Sequence, residues 1–127
     1  MPVTWMDHNG KRVLYIDVRQ ASGKQFVAEM DVSMEMLWAQ SDKVPYLANI
    51  ADATVSTEVM QWIRKHGPNN AKRMSKLAVV GVTGVKKVFM DAVEVIFSKV
   101  AVPARSFKTE QEALEWLVKE DEKRHRG

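Results

Sequence analysis

Two short segments hold the residues best suited to chemistry. The first contains Asp52, Thr54 and Ser56; the second contains Gly81, Thr83 and Gly84, followed by Lys86 and Lys87. Both fall where an apolar run gives way to a helical pattern, and in open α/β sheets ligands gather at such strand-to-helix loops. Glycines flanking Thr83 would let backbone N–H groups turn toward an anion, and the neighbouring lysines would add charge, which makes this segment a candidate phosphate or carboxylate loop. The same glycines equally serve a tight turn, because their spacing matches neither the Walker loop nor the dinucleotide fingerprint. Asp52, Thr54 and Ser56 are good turn and cap formers, with a good N-cap stabilising a helix by about 1 kcal/mol. Read as chemistry, they offer a hydroxyl for phosphorylation, which would place roughly −1.5 to −2 charges beside a helix terminus.

Little else is arranged for catalysis. The chain has no Cys, which excludes thiolate zinc sites, iron–sulfur clusters, disulfides and a cysteine nucleophile. A Ser or Thr nucleophile would need an adjacent base, and no Gly-x-Ser-x-Gly elbow is present. His8, His66 and His125 lie far apart and fit a turn, a helix end and a tail, so no metal or other cofactor is expected. Asp17 sits among strand residues and is expected to cap or to pair with a lysine. Trp38, Trp62 and Trp116 fall on helical stripes, where packing is the ordinary role. Lys72, Arg73, Lys76, Lys86 and Lys87 are expected to form a solvated basic rim at one end of a sheet, without the interleaved aromatics of a single-strand binder. Lys plus Arg at 19 against Asp plus Glu at 16 leaves a net charge of +3, which calls for no nucleic-acid partner. The expectation is a protein that is not an enzyme.

The elements that must position these residues are legible from apolar spacing. Residues 3–6 and 12–18 flank Asn9-Gly10, a pair that accepts the positive φ of a tight hairpin. In residues 25–40, Phe26, Met30, Met34, Leu37 and Trp38 recur at helical spacing. Alternation of Phe26, Ala28, Met30 and Val32 allows a strand there with a helix starting near Ser33, but one helix is the preferred reading. Residues 44–50 read as a buried strand, with Pro45 at its start. Ser56 then caps a helix with Glu58 in its first turn and Val59, Met60, Trp62 and Ile63 as its stripe; His66, Gly67 and Pro68 predict its end. The apolar run 77–82 marks a strand covered on both faces. Gly84 is expected to open a helix carrying Val85, Val88, Phe89, Ala92, Val93 and Ile96. A last strand near 104–107 precedes a helix at Thr109, where Thr109 and Glu112 have capping-box spacing and Ala113, Leu114 and Leu117 face inward. The nearly all-charged tail 119–127 is expected to fray into solvent.

The order is a hairpin, three helix-to-strand steps and a closing helix. It predicts an α/β fold with a mixed, mostly parallel sheet and about four helices, as one domain over residues 1–127. A chain of this size buries roughly two-thirds of its unfolded surface and needs no metal or disulfide to hold a core. No apolar run approaches the ~20 residues of a membrane span, and residues 1–10 lack the pattern of a signal peptide, so the expected location is cytoplasmic.

The segment 77–87, Leu-Ala-Val-Val-Gly-Val-Thr-Gly-Val-Lys-Lys, and the segment 107–118, Phe-Lys-Thr-Glu-Gln-Glu-Ala-Leu-Glu-Trp-Leu-Val, resemble the small SpoIIAA-like proteins of the STAS superfamily. Residues 12–17 look like that group's opening strand, and the Asp52 segment falls at its strand-to-helix loop. The resemblance implies an α/β fold whose best-understood members are anti-sigma-factor antagonists. In those, a serine after an aspartate at the start of the second helix is phosphorylated by a partner kinase. Here Ala53 follows Asp52, which leaves Thr54 or Ser56 as displaced candidates. What the resemblance implies is a regulatory or protein-interaction module with a protein partner, and a homodimer is a further expectation. The rival reading is a small-molecule carrier or sensor, with the Met-rich helix 25–40 lining a pocket for an apolar or anionic ligand.

Overall fold

The computed structural model describes residues 2–119. β1 (Val3–His8) and β2 (Lys11–Asp17) form the antiparallel hairpin, with Val3 opposite Ile16 and His8 opposite Lys11. Asn9 and Gly10 both take positive φ, 51° and 79°, the geometry whose twist matches the flanking strands. Three crossovers follow: α1 (Gly23–Trp38) to β3 (Val44–Asn49), α2 (Thr57–Ala71) to β4 (Met74–Val80), and α3 (Lys86–Ser98) to β5 (Ala104–Phe107). α4 (Glu110–Val118) closes the fold. The five strands lie in the order β1-β2-β3-β4-β5, and every pair after the first is parallel. This is the mixed, mostly parallel sheet with four helices that the sequence predicts.

Local signals explain most boundaries. The Ser22 hydroxyl accepts the Gln25 N–H at 3.2 Å while the Gln25 side chain accepts the Ser22 N–H, so α1 begins two residues before its expected start. Phe26, Met30, Ser33 and Leu37 then share one buried face, which disposes of the strand alternative. Thr109 accepts the Glu112 N–H at 3.2 Å and donates to its carboxylate, and Ala113, Leu114 and Leu117 point inward as expected.

Two expectations fail for physical reasons. α2 does not end at Gly67; it runs through Pro68 to Ala71. Gly67 packs where a Cβ would meet Ile96 of α3 and Ile63 at ordinary contact distances, and Ala71 is fully buried, so tertiary packing outweighs the one backbone bond that Pro68 removes. At the start of α3, Val85 and Val88 are 89% and 75% exposed rather than on the core stripe. The buried arc is Phe89, Met90, Val93 and Phe97; Gly84, with φ at 57°, lies in the turn before the helix and does not open it. Trp38, expected in the core, is half exposed at the end of α1.

Side chains of α1, α2 and α3 pack with Leu14, Ile16, Tyr46, Leu77 and Val79 on one face of the sheet. On the other face α4 alone covers Val13, Leu47, Ala78 and Val80. Lys119 is the last described residue, and the remainder of the expected charged tail, His125 included, lies outside the described residues. Among the described residues no helix is long and apolar enough to cross a membrane.

The loop ends of β3 and β4 meet at Gly81, whose φ is 95° and whose Cβ, if it had one, would lie 2.4 Å from the Ala51 nitrogen. Gly81→Ala is expected to lower the unfolding free energy by about 2–4 kcal/mol, since strain and a backbone clash coincide there. Urea denaturation checks this.

Candidate functional site

Both segments singled out in the sequence lie at the carboxyl ends of the central strands, and the structure brings them together. The Ile50 N–H donates to the Val80 carbonyl at 2.8 Å, and Gly81 lies against Ala51. Asp52 is exposed with φ at 59°, a left-handed turn residue, and Ala53 after it is buried. Thr54 donates its N–H to the Ala21 carbonyl at 2.9 Å and leaves its side chain exposed. Ser56 is committed to structure: its Oγ accepts the Val59 N–H at 3.3 Å and occupies space 2.4 Å from where a Cβ on Gly23 would stand. In the second segment the N–H groups of Lys86 and Lys87 donate to the carbonyls of Thr83 and Gly84 at 3.1 Å each, the hydrogen bonding of a turn.

These loops wall an open groove of about 540 Å³ between the starts of α2 and α3, lined by Thr54, Val55, Met60 and Arg64 on one side and by Val85, Lys86 and Val88 on the other. The expected basic rim is not one cluster. Lys86 and Lys87 follow β4 at its carboxyl end, whereas Lys72 and Arg73 precede it, so the length of a strand separates them. Arg73 is spent on structure, its guanidinium donating to the Gln40 carbonyl and lying 5.1 Å from the Trp38 ring.

Two polar groupings escaped the sequence reading. On the α4 face, Tyr15 donates to Glu110 Oε2 at 2.5 Å and Asn49 Nδ2 donates to the same oxygen at 2.7 Å, while Asn49 Oδ1 accepts the Ala51 N–H. The capping pattern placed Glu110 in the first turn of α4, but nothing local announces a partner 95 residues away. Asp17 pairs with Arg19, not with a lysine, at 2.7 Å. Beneath the helices, an apolar cavity of about 70 Å³ lies between α1, α2, α3 and the sheet, with Met30, Met34 and Met74 in its lining. Its polar edge is Asn70. The Trp38 indole N–H, a donor only, fixes the amide oxygen of Asn70 at 2.8 Å, so Asn70 Nδ2 points the other way, buried and without a partner. Nearby, Ser33 donates to the Met30 carbonyl, so Tyr46 donates to Ser33 Oγ at 2.6 Å. Among the described residues, no three His, Asp or Glu side chains converge as metal ligands would.

These environments shift titrations in defined directions. Tyr15 is raised by burial first and by its hydrogen bond to Glu110 second; Tyr46 is raised by burial. Both tyrosines of the chain are therefore expected to ionise at higher pH than a free tyrosine, and tyrosinate absorbance at 295 nm should rise later in an alkaline titration of the folded protein than of the urea-unfolded chain. Asp17 is lowered, chiefly by the side-chain hydrogen bond from Arg19. Its contribution to stability is complete above the pKa of an unfolded-chain aspartate, about 4, and is lost as pH falls through its lower folded value. Asp17→Asn should flatten that acid limb in denaturation curves recorded across the range.

With the geometry in hand, comparison with known proteins is informative. No curated protein matches the sequence. Among solved structures, an uncharacterised protein with a SpoIIAA-like fold from Shewanella loihica PV-4 superimposes with a TM-score of 0.68 at 14% identity, covering 91% of both chains. That identity speaks for the fold alone. The SpoIIAA-like family profile matches residues 6–118, from the hairpin to the last residue of α4, and the chain belongs to the SpoIIAA-like family.

Proposed function

We propose that this protein is a non-enzymatic protein-interaction module whose docking surface is the α2–α3 groove at the carboxyl end of the sheet. The observation that carries this reading is the exposure of Val85 and Val88, 89% and 75%, on the rim of a groove lined by Thr54 from the first segment singled out in the sequence and Lys86 from the second. Single exposed valines need no explanation, but two of them three residues apart along an otherwise half-apolar groove form a patch that a partner's apolar side chains would cover. Arg64 and Lys86 flank it and suit an acidic rim on the partner.

Thr54 is the candidate regulatory hydroxyl. Ser56 is held by its cap and by Gly23, whereas the exposed Thr54 side chain lines the same groove as Arg64 and Lys86. A phosphate on Thr54 would bring roughly −1.5 to −2 charges beside those two cations and recast the surface from apolar and cationic to near-neutral.

A second reading, a carrier of small apolar ligands, is favoured by one observation: the apolar cavity with the unpartnered Asn70 Nδ2 at its edge. At about 70 Å³ the cavity is smaller than the roughly 150 Å³ that accepts benzene in an engineered core, so any larger ligand requires the helices to part from the sheet.

The test is partner capture with wild type and with the double variant Val85→Asp/Val88→Asp, whose exposed sites should cost no more than about 0.5 kcal/mol in stability. A protein recovered by wild type and lost with the variant supports the docking surface; if that protein is a second copy of the chain, light scattering reads it as a dimer that the variant dissolves. Equal recovery by both overturns it. Native mass spectrometry of protein from its own cell tests the other readings, through an added phosphate on Thr54 or a bound ligand mass.

A further inference from the structure

Asn70 stands in the last turn of α2, 3% exposed, and lines the apolar cavity between the helices and the sheet. Its Nδ2 has no hydrogen-bond partner. A buried donor left in that state is destabilising, and an acceptor brought into the cavity would relieve it. The donor is also held in place. Trp38 of α1 reaches across to give its indole N–H to Asn70 Oδ1 at 2.8 Å, and because an indole N–H cannot accept, the amide cannot turn over without losing that bond. A water on Nδ2 needs about 2–4 polar partners, and the rest of the wall offers it little besides Ser33 and Tyr46, whose hydroxyl hydrogens are already engaged.

The cavity comes to the surface along one seam. Its helical lining is buried except at Met34 of α1 and at Trp62 and Ile63 of α2, which are partly exposed. Two indole hydrogen bonds tie these helices together: Trp38 to Asn70, and Trp62 Nε1 to Asp31 Oδ1 at 2.8 Å on the exposed side. Inside, Met30, Met34 and Met74 are unbranched thioethers that repack readily, so the hollow of about 70 Å³ can enlarge once the seam parts.

The occupant's class follows from the wall and its one spare donor. An apolar wall takes an apolar body, and an N–H donor takes an acceptor oxygen. A single neutral amide cannot offset the burial of a full charge, and the described residues that line the cavity include no charged side chain, which selects a carbonyl over an ionised carboxylate. We propose that the cavity binds a neutral apolar molecule bearing a carbonyl oxygen, such as an ester or ketone, which accepts from Asn70 Nδ2 and enters through the α1–α2 seam. This rests on the carrier reading of the cavity and adds to it the polar group that the ligand must bring and its way in.

Isothermal titration calorimetry on the full chain with methyl hexanoate, hexanoate and toluene tests this. Methyl hexanoate should bind, and hexanoate should bind at least roughly tenfold more weakly. Asn70→Leu keeps the bulk of the side chain and removes the donor, so it should weaken methyl hexanoate roughly tenfold and leave toluene no weaker. If toluene and the ester bind wild type alike and Asn70→Leu changes neither, the carrier reading stands and the carbonyl assignment is overturned. If none of the three binds, both fall. Tighter binding of hexanoate than of its ester also overturns the assignment. Should Asn70→Leu fail to fold, Trp38→Phe, at a half-exposed position, frees the amide to turn over and should weaken the ester but not toluene; no change in either overturns it. Asp31→Ala removes one tether of the seam and should speed the uptake of the ester followed by stopped-flow tryptophan fluorescence, whereas an unchanged rate overturns the entry route. Val85→Asp/Val88→Asp should bind the ester as wild type does, so the cavity and the docking surface succeed or fail separately.

Discussion

The layering of this protein depends on the handedness of parallel crossovers, which are right-handed in nearly all proteins because a twisted strand feeding a right-handed helix packs back onto its sheet only that way. Here β2, β3, β4 and β5 follow one another across the sheet in sequence order, so each crossover steps in the same direction. Equal steps of equal hand put α1, α2 and α3 on one face. The opposite face is left bare, and the central strands, apolar on both sides, could not stay so in water. α4 resolves this by returning under the sheet after β5, with Ala113, Leu114, Leu117 and Val118 against Val13, Leu47, Ala78 and Val80.

The same constraint sets the two ends of the molecule apart. Every parallel strand points its carboxyl end the same way, so the loops after β2, β3 and β4 gather at one end with the starts of α1, α2 and α3. That end holds the strained turns at Gln20, Asp52 and Gly81, the close approach of Gly23 to Ser56, and the exposed valines. The other end collects the short connections into the strands, which are rich in Lys and Arg.

What could be read from the sequence was whatever rests on near neighbours. Asn9-Gly10, the Ser56 cap and the Thr109 cap on Glu112 are interactions within a few residues, and the hairpin turn and the two helix starts they set are where expected. The unbroken apolar run of β4 announced cover on both faces. Long-range contacts were not legible. Pro68 and Gly67 have the local signature of a helix end, yet contact with α3 and burial of Ala71 carry α2 on for another turn. Val85 and Val88 fit a helical stripe, but the sheet selects the neighbouring arc of Phe89, Met90, Val93 and Phe97. Tyr15, Asn49 and Glu110 meet only after the sheet has formed and α4 has docked. The lysines read as one rim belong to opposite ends of β4, a separation that strand direction decides and composition does not.

The solitary cover supplied by α4 bears on how the protein is made. α4, nine residues long, is synthesised after every other described element, and until it emerges the sheet has one clothed face and one naked one. During translation, α1 to α3 can dock as they appear, whereas Val13, Leu47, Ala78 and Val80 wait for residues from the far end of the chain. The interval between these events is when a nascent chain of this design is most exposed to adhesion with its neighbours, and the face at risk is the smooth aliphatic one, on the opposite side of the sheet from the α2–α3 groove.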